Sequence, residues 1–227
     1  MTMRRKQKLG ILGGTGKEGS ALALRWADAG YPVVLGSRSP QKAQSMAGEL
    51  NSILGRDAVS GAGNVAAASE GEIVVLTVPY AAQQPTVEEV RGALAGKILV
   101  DVTVPLVPPK VTQVQLPAEG SAAVAIQKLL GPAVRVVSAF QNVSAHGLKK
   151  LGHKVDCDVL VSSDDNAAAD LIVDLARDIG LGAWNAGVLA NSVVAEALTS
   201  VLIVLNQRYK VPASGIRITG IPHIRTE

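Results

Sequence analysis

The sequence predicts an α/β fold, a doubly wound parallel sheet with a small helical C-terminal region, on three observations. Short apolar runs alternate along the chain with stretches whose apolar residues recur at helical spacing. The runs are rich in Val, Ile and Leu without polar alternation, as in strands covered on both faces. The 227 residues are 48% hydrophobic but only 3% aromatic, so the core is filled by Ala, Val, Leu and Ile. Strand, helix, strand, helix with right-handed crossovers is the order of an open parallel sheet.

The elements follow in turn. Leu9-Gly10-Ile11-Leu12 reads as a short buried strand, and Gly19 to Ala29 as a helix through Leu22, Leu24 and Trp26, stopped by Gly30. Pro32 to Gly36 is a second strand. A second helix spans Pro40 to Leu54, with Ser39 as N-cap and Pro40 at the first helical position. Glu72 to Val78, Lys97 to Val102 and Val134 to Phe140 repeat the strand pattern. Val155 to Ser162 reads as one more strand and Asn166 to Ile179 as one more helix, ending in the turn at Gly180-Leu181-Gly182. A long apolar helix from about Leu189 to about Tyr209 lacks a clean polar face, so burial is expected, against the sheet or against a second subunit. The tail Arg217 to Pro222 is read as an edge strand or a loop.

Composition narrows the function. With 22 Lys and Arg against 19 Asp and Glu, the net charge of +3 gives weak attraction to nucleic acid. One Phe, two Trp and three Tyr are too few for base-stacking platforms, so no nucleic-acid partner is expected. The single cysteine, Cys157, lies between Asp156 and Asp158, whose charge disfavours its thiolate. One cysteine forbids an intrachain disulfide and fits a reducing compartment. The basic start, with Arg4, Arg5, Lys6 and Lys8, runs into a glycine-rich strand too short for an export segment. No stretch reads as some 20 unbroken apolar residues. A cytoplasmic protein without a membrane partner is expected. His146, His153 and His223 show no ligand spacing, so no metal site is expected.

The segment richest in chemistry is Gly13-Gly14-Thr15-Gly16-Lys17-Glu18-Gly19. Gly14, Gly16 and Gly19 satisfy the G-x-G-x-x-G fingerprint between a strand and a helix. They serve, respectively, the tight turn, close approach of a pyrophosphate, and packing of helix on strand. An anion would rest on the free N–H groups at the helix start, where Thr15, Lys17 and Glu18 surround it. This makes the sheet Rossmann-type. The second strand ends Leu35-Gly36-Ser37-Arg38-Ser39, without the acid that accepts from a ribose 2′-OH. Arg38 can instead fork onto a 2′-phosphate, with Ser37 and Ser39 donating and Lys42 one turn into the next helix. NADP(H) is therefore expected rather than NAD(H). Thr77-Val78-Pro79-Tyr80 closes the next buried strand at its carboxyl end, where ligands lie in open α/β sheets, with Tyr80 able to stack on the dinucleotide. Gln84, in the segment that follows, is counted with the cofactor-binding residues.

Leu12-Gly13-Gly14-Thr15-Gly16 with Gly36-Ser37-Arg38 resembles the F420-dependent NADP oxidoreductases, NADPH-dependent reductases of coenzyme F420. The likeness continues through Leu76 to Tyr80, Val137 to Phe140, Asp158 to Val161, Glu196 to Thr199 and Asn206 to Lys210, nearly the whole chain. It implies hydride transfer between NADP(H) and a deazaflavin, with small-molecule coenzymes as substrates and a homodimer as the assembly. Residues 1–185 would be the NADP-binding domain, and residues 186–227 a helical region completing the second-substrate pocket and the dimer contact. By position, Gln141, Asn142, Val143, Ser144 and Ala145 would line the pocket beside the nicotinamide, with the helix from Asn191 to Thr199 and the loop near Ser214-Gly215. Gln141 and Thr199 would stand at the reaction centre. Members of the family carry histidine where this chain has Gln141. Lys149, Lys150, Arg208, Lys210, Arg217 and Arg225 are cations available to an anionic F420 tail. Two cofactors that carry their own electronics need positioning more than acid–base groups. A reductase of another flavin, an imine or a metal chelate, and a non-catalytic NADP(H)-sensing module, are the alternatives.

Overall fold

The computed structural model describes residues 5–221. Arg4, Pro222, His223 and Arg225, named above, lie outside them. The chain begins with β1 (Leu9–Leu12), α1 (Lys17–Asp28), β2 (Val33–Ser37), α2 (Pro40–Leu54), β3 (Val59–Gly63), α3 (Asn64–Glu70) and β4 (Ile73–Leu76). It continues with α4 (Tyr80–Val90), β5 (Ile98–Asp101), α5 (Ala122–Leu130), β6 (Arg135–Ser138), α6 (Ala145–Leu148), β7 (Asp158–Ser163), α7 (Asn166–Arg177), β8 (Gly182–Asn185) and α8 (Ser192–Tyr209).

The eight strands form a sheet in the order β3-β2-β1-β4-β5-β6-β7-β8. The first six are parallel, and β7 joins β6 antiparallel through Val137 opposite Ser163 and Ser138 opposite Ser162. β8 is parallel to β7, so the last two strands run against the rest. The fully parallel sheet expected from the repeated strand–helix pattern is therefore mostly parallel. The short α6 sits on a path of irregular chain and does not carry it back across the sheet.

Side chains of each strand divide between two cores, as strand geometry requires. Leu9 and Ile11 of β1, Val33 and Leu35 of β2, and Ile73 and Val75 of β4 pack with α1, α2 and α7. Leu12, Val34, Val74 and Leu76 pack on the other face with α3, α4 and α5. The sequence reads as unbroken apolar runs for this reason.

α2 matches its predicted span: Ser39 Oγ accepts from Lys42 N–H, and Pro40 takes the first helical position. β3 and α3 were not among the predicted elements, nor were α4, α5 and β8. α8 packs on the rest of the chain along one face only. With the preceding turn, Leu189–Tyr209 is a helix of 21 residues containing an 18-residue stretch of mean hydropathy 1.6, long and apolar enough to cross a membrane by length and composition. It buries Ser192, Ala195, Glu196, Ser200 and Leu202 and exposes Val194, Val201 and Val204. The tail from Val211 is irregular and touches β7 through Asp158 N–H donating to Ile216 O.

Candidate functional site

β1 lies between β2 and β4, so the chain leaves it in opposite directions and a crevice opens at its carboxyl end. The turn there rests on Gly13, at φ +73°, which L side chains rarely adopt. Gly14 has ordinary dihedrals but no space, since a Cβ would stand 2.9 Å from Ile11 O. Gly19 packs tightest, a Cβ there falling 2.4 Å from Thr77 Oγ1. Gly16 is open, with Gly13 O at 3.2 Å the only heavy atom within reach, and its side no side-chain cap covers. The first N–H groups of the 12-residue α1 are thus left for a ligand, with Thr15 half-buried on the turn. The loop fits a pyrophosphate.

On the β2 side, Arg38 and Lys42 are solvent-exposed, and neither makes an ion pair among the described residues. Ser37 Oγ accepts from Ser39 N–H, and Ser39 Oγ caps α2, so the two hydroxyls also hold the turn that presents Arg38.

On the β4 side lies a cavity of about 740 Å3, within the range of small-molecule sites. Gly16, Lys17, Glu18, Thr77, Val78, Pro79, Tyr80, Gln141, Asn142, Val143, Ala145 and Thr199 all line it. The loop after β5 (Val102, Val104, Leu106) and the outer end of α8 (Leu202, Ile203) close it with apolar surface, with Asn206 beside them. Ser144 and Ser214 line it too. Asn191 does not, since its Nδ2 donates to Ala186 O at 2.7 Å, and Gly215 lies against Cys157. Gln84 is exposed on α4 and donates to Glu88 Oε1 at 3.0 Å, away from the cavity.

Backbone strain shapes the far wall. Phe140 sits at φ +73°, costly for a bulky residue, and is held by edge-to-face packing on Trp26, centroids 5.5 Å apart. This bend delivers Gln141, 4% exposed, whose Nε2 donates to Asp101 O and Ser138 Oγ, both at 2.8 Å. Thr199 Oγ1 lies 2.8 Å from Gln141 O and donates to it, tying α8 to the same turn. Asn142 donates through Nδ2 to Asp158 O and Cys157 Sγ. The loop beyond is clamped by Arg25, whose guanidinium donates to the carbonyls of Gly147, Leu148, Lys150 and His153.

Behind Gln141 stands a polar network that the sequence did not reveal. Asp101 is fully buried and accepts from Thr103 N–H and Gln83 Nε2. Glu196 of α8 accepts from Ala122 N–H at 2.7 Å and Ala123 N–H at 3.1 Å, capping α5. Burial pushes Asp101 up to about 6 and Glu196 to about 7, the latter also raised by Asp101. Burial likewise raises the Tyr80 phenol, with Glu119 and Glu196 adding to it. Glu18 rises to about 8 through burial, opposed by a hydrogen bond from Ala145 N–H. The Cys157 thiol is pushed up by burial first, with Asp158 and Asp156 adding to it. Lys149, Lys150, Arg208 and Lys210 are exposed and line no part of the cavity, and Arg217 pairs with Asp156 at 2.9 Å.

The family model described as NADP oxidoreductase, coenzyme F420-dependent, matches residues 8–105. The F420-dependent NADP reductase of Methanothermobacter thermautotrophicus is 42% identical over 95% of this chain and 96% of its own. That of Methanocaldococcus jannaschii is 40% identical over 94% of this chain and 99% of its own. A crystal structure from Arthrobacter sp. FB24, described as an F420-dependent NADP-reductase by assignment, superimposes with a TM-score of 0.78 at 26% identity. It covers 93% of this chain and 99% of that one. Identity at this level along nearly the full length of these relatives, on the Rossmann-type sheet and phosphate loop described above, places the chain in the family of F420-dependent NADP reductases.

Proposed function

We propose that this protein is an oxidoreductase transferring a hydride between NADP(H) and the deazaflavin coenzyme F420. The observation that carries this reading is the continuity of the site. An exposed arginine after β2, the open helix start after β1 and a largely uncharged cavity beside β4 follow one another along the crevice. The 2′-phosphate would meet Arg38 and Lys42, and Ser37 would border it. The pyrophosphate would rest on the N–H groups after Gly16, and the nicotinamide would enter the cavity past Thr77, Val78, Pro79 and Tyr80.

The deazaflavin would stack on the exposed nicotinamide face, between the turn Gln141–Ala145 and α8. The bound coenzymes supply the hydride chemistry, and the chain's own work is to hold them face to face and keep water out. Gln141 and Thr199 are the residues we place at the reaction centre. Gln141 is fixed by Asp101 O and Ser138 Oγ, and its carbonyl is held by Thr199. In this reading residues 1–185 carry NADP(H), and residues 186–227 complete the second pocket. The exposed valines of α8 (Val194, Val201 and Val204) would form the contact of a homodimer, covering a helix otherwise half in water. With its single cysteine reduced, the protein works in the cytoplasm on small-molecule coenzymes, without nucleic-acid or membrane partners.

The test is direct. Mixing the purified protein with NADPH and oxidised F420 should bleach the deazaflavin absorbance in step with loss of NADPH. Absence of change with F420 but turnover with a free flavin, an imine or a chelated metal would redirect the reading. Binding of NADPH without any turnover would leave a sensor.

A further inference from the structure

The cavity is almost without charge. Among the described residues that line it, Glu18 is the only carboxyl and Lys17 the only cation. Glu18 sits in the first turn of α1, beside the proposed pyrophosphate, and lines the same cavity as Thr77 and Ala145, which Arg38 does not. Its carboxyl is enclosed: Oε1 is buried and has no hydrogen-bond partner, and Ala145 N–H offsets only part of the burial that raises it. A buried, half-satisfied acid is costly, and nothing in the packing of α1 requires one here.

The dinucleotide's path explains its place. Running from Arg38 across the start of α1, the half beyond the pyrophosphate would enter the cavity at Gly16 to Glu18, and the nicotinamide would meet this wall. The two redox forms of that ring differ by one positive charge. Resting on the NADP(H) reading above, we propose that Glu18 is a specificity-determining residue that discriminates oxidised from reduced nicotinamide: ionised, it favours the cationic oxidised ring, and protonated, it favours the neutral reduced ring.

Burial raises the carboxyl to about 8, so its ionisation falls in the range where a cell's pH acts on it. The titratable groups on the elements that wall it are Lys17, Arg25 and Asp28 on α1, Tyr80, Glu88 and Glu89 on α4, and His146 and Lys149 on and after α6. Arg25 is committed to the carbonyls of residues 147–153. Asp101 and Glu196 are committed to Thr103 with Gln83 and to Ala122 with Ala123.

The test is the ratio of dissociation constants, NADPH over NADP+, measured by calorimetry from pH 6 to pH 9. Both nucleotides share the adenosine half, so titration of the 2′-phosphate and of groups around Arg38 cancels in the ratio. In the wild type the ratio should rise about tenfold across this range, as expected for one charge at close range in a partly screened site. In Glu18→Gln it should stay flat. A flat wild-type ratio, or a slope that survives in Glu18→Gln, overturns the inference while leaving the NADP(H) reading intact. Failure of the wild type to bind either nucleotide would overturn that reading and this inference together. If Glu18→Gln does not fold, the wild-type ratio decides alone.

Discussion

Glu196 and Ala122 stand 74 residues apart in sequence, and the carboxylate of the first accepts the backbone N–H of the second at 2.7 Å. Through this bond the last helix caps α5, whose own N-cap, Ser121, accepts from Val124 N–H. Ser192, one turn before Glu196, meets Ser121 at 2.7 Å between their hydroxyl oxygens. The wall of the cavity formed by α8 is therefore fastened to the sheet by buried polar bonds, where an apolar seam would leave the helix free to slide.

Replacing Glu196 with Ala leaves two buried N–H groups unpaired. The expected loss of stability is about 2–4 kcal/mol at pH 6, read as a lowered midpoint in urea. An unchanged midpoint would mean that water replaces the carboxyl group.

The raised acids give stability a definite pH dependence. Asp101, Glu196 and Glu18 have folded values of about 6, 7 and 8, above their ordinary 3.8, 4.5 and 4.5. The folded state thus holds protons that the unfolded chain has released. The stability these groups contribute is fully present below about pH 4, and it falls as pH rises toward 8. The wild type should lose melting temperature between pH 5 and pH 8, and Glu18→Gln should lose less. A melting temperature that climbs through this interval would contradict the burial of these groups.

Two glycines of one loop should fail differently. Gly19→Ala puts a Cβ 2.4 Å from Thr77 Oγ1 and 2.9 Å from Gly14 Cα, so it should destabilise the fold, by about 1–3 kcal/mol. Gly16→Ala meets only Gly13 O at 3.2 Å. It should fold nearly as well and weaken NADPH binding at least tenfold, because the methyl stands where the pyrophosphate approaches. Thermal melts and calorimetry on the pair separate the two roles.

Arg38→Ala should raise the NADPH Michaelis constant by one to two orders of magnitude, the loss of a charge-assisted forked contact, and leave that for NADH nearly untouched. Equal effects on both nucleotides would show that Arg38 does not meet the 2′-phosphate.

Much of this was legible in the sequence, for a physical reason. β1, β2, β4 and β5 are enclosed on both faces, so their apolar runs are uninterrupted. The capped start of α2 and the glycine loop are local chemistry. β3 escaped because Val59-Ser60-Gly61-Ala62-Gly63 has one large apolar side chain. Its small residues exist so that α2 can approach, Gly61 lying against the backbone of Ala43 and Gln44. α3 has seven residues and β8 four, too few to show a period. The reversal at β7 turns on two pairings with β6. At the site, Gly14 to Gly19 and Thr77 to Tyr80 could be read directly, whereas Asp101, Gln83 and Glu196 become a network only when distant segments bury them. Gln84 lies outside the cavity lining, and its neighbour Gln83 is the residue turned inward, onto Asp101.

The central claim is that a hydride passes directly between the two coenzymes in one cavity. NADPH carrying deuterium at nicotinamide C4, on the transferred face, should yield reduced F420 with the label retained after a single turnover, as mass spectrometry would read it. Appearance of the label in water, or reduced F420 without deuterium, would contradict it.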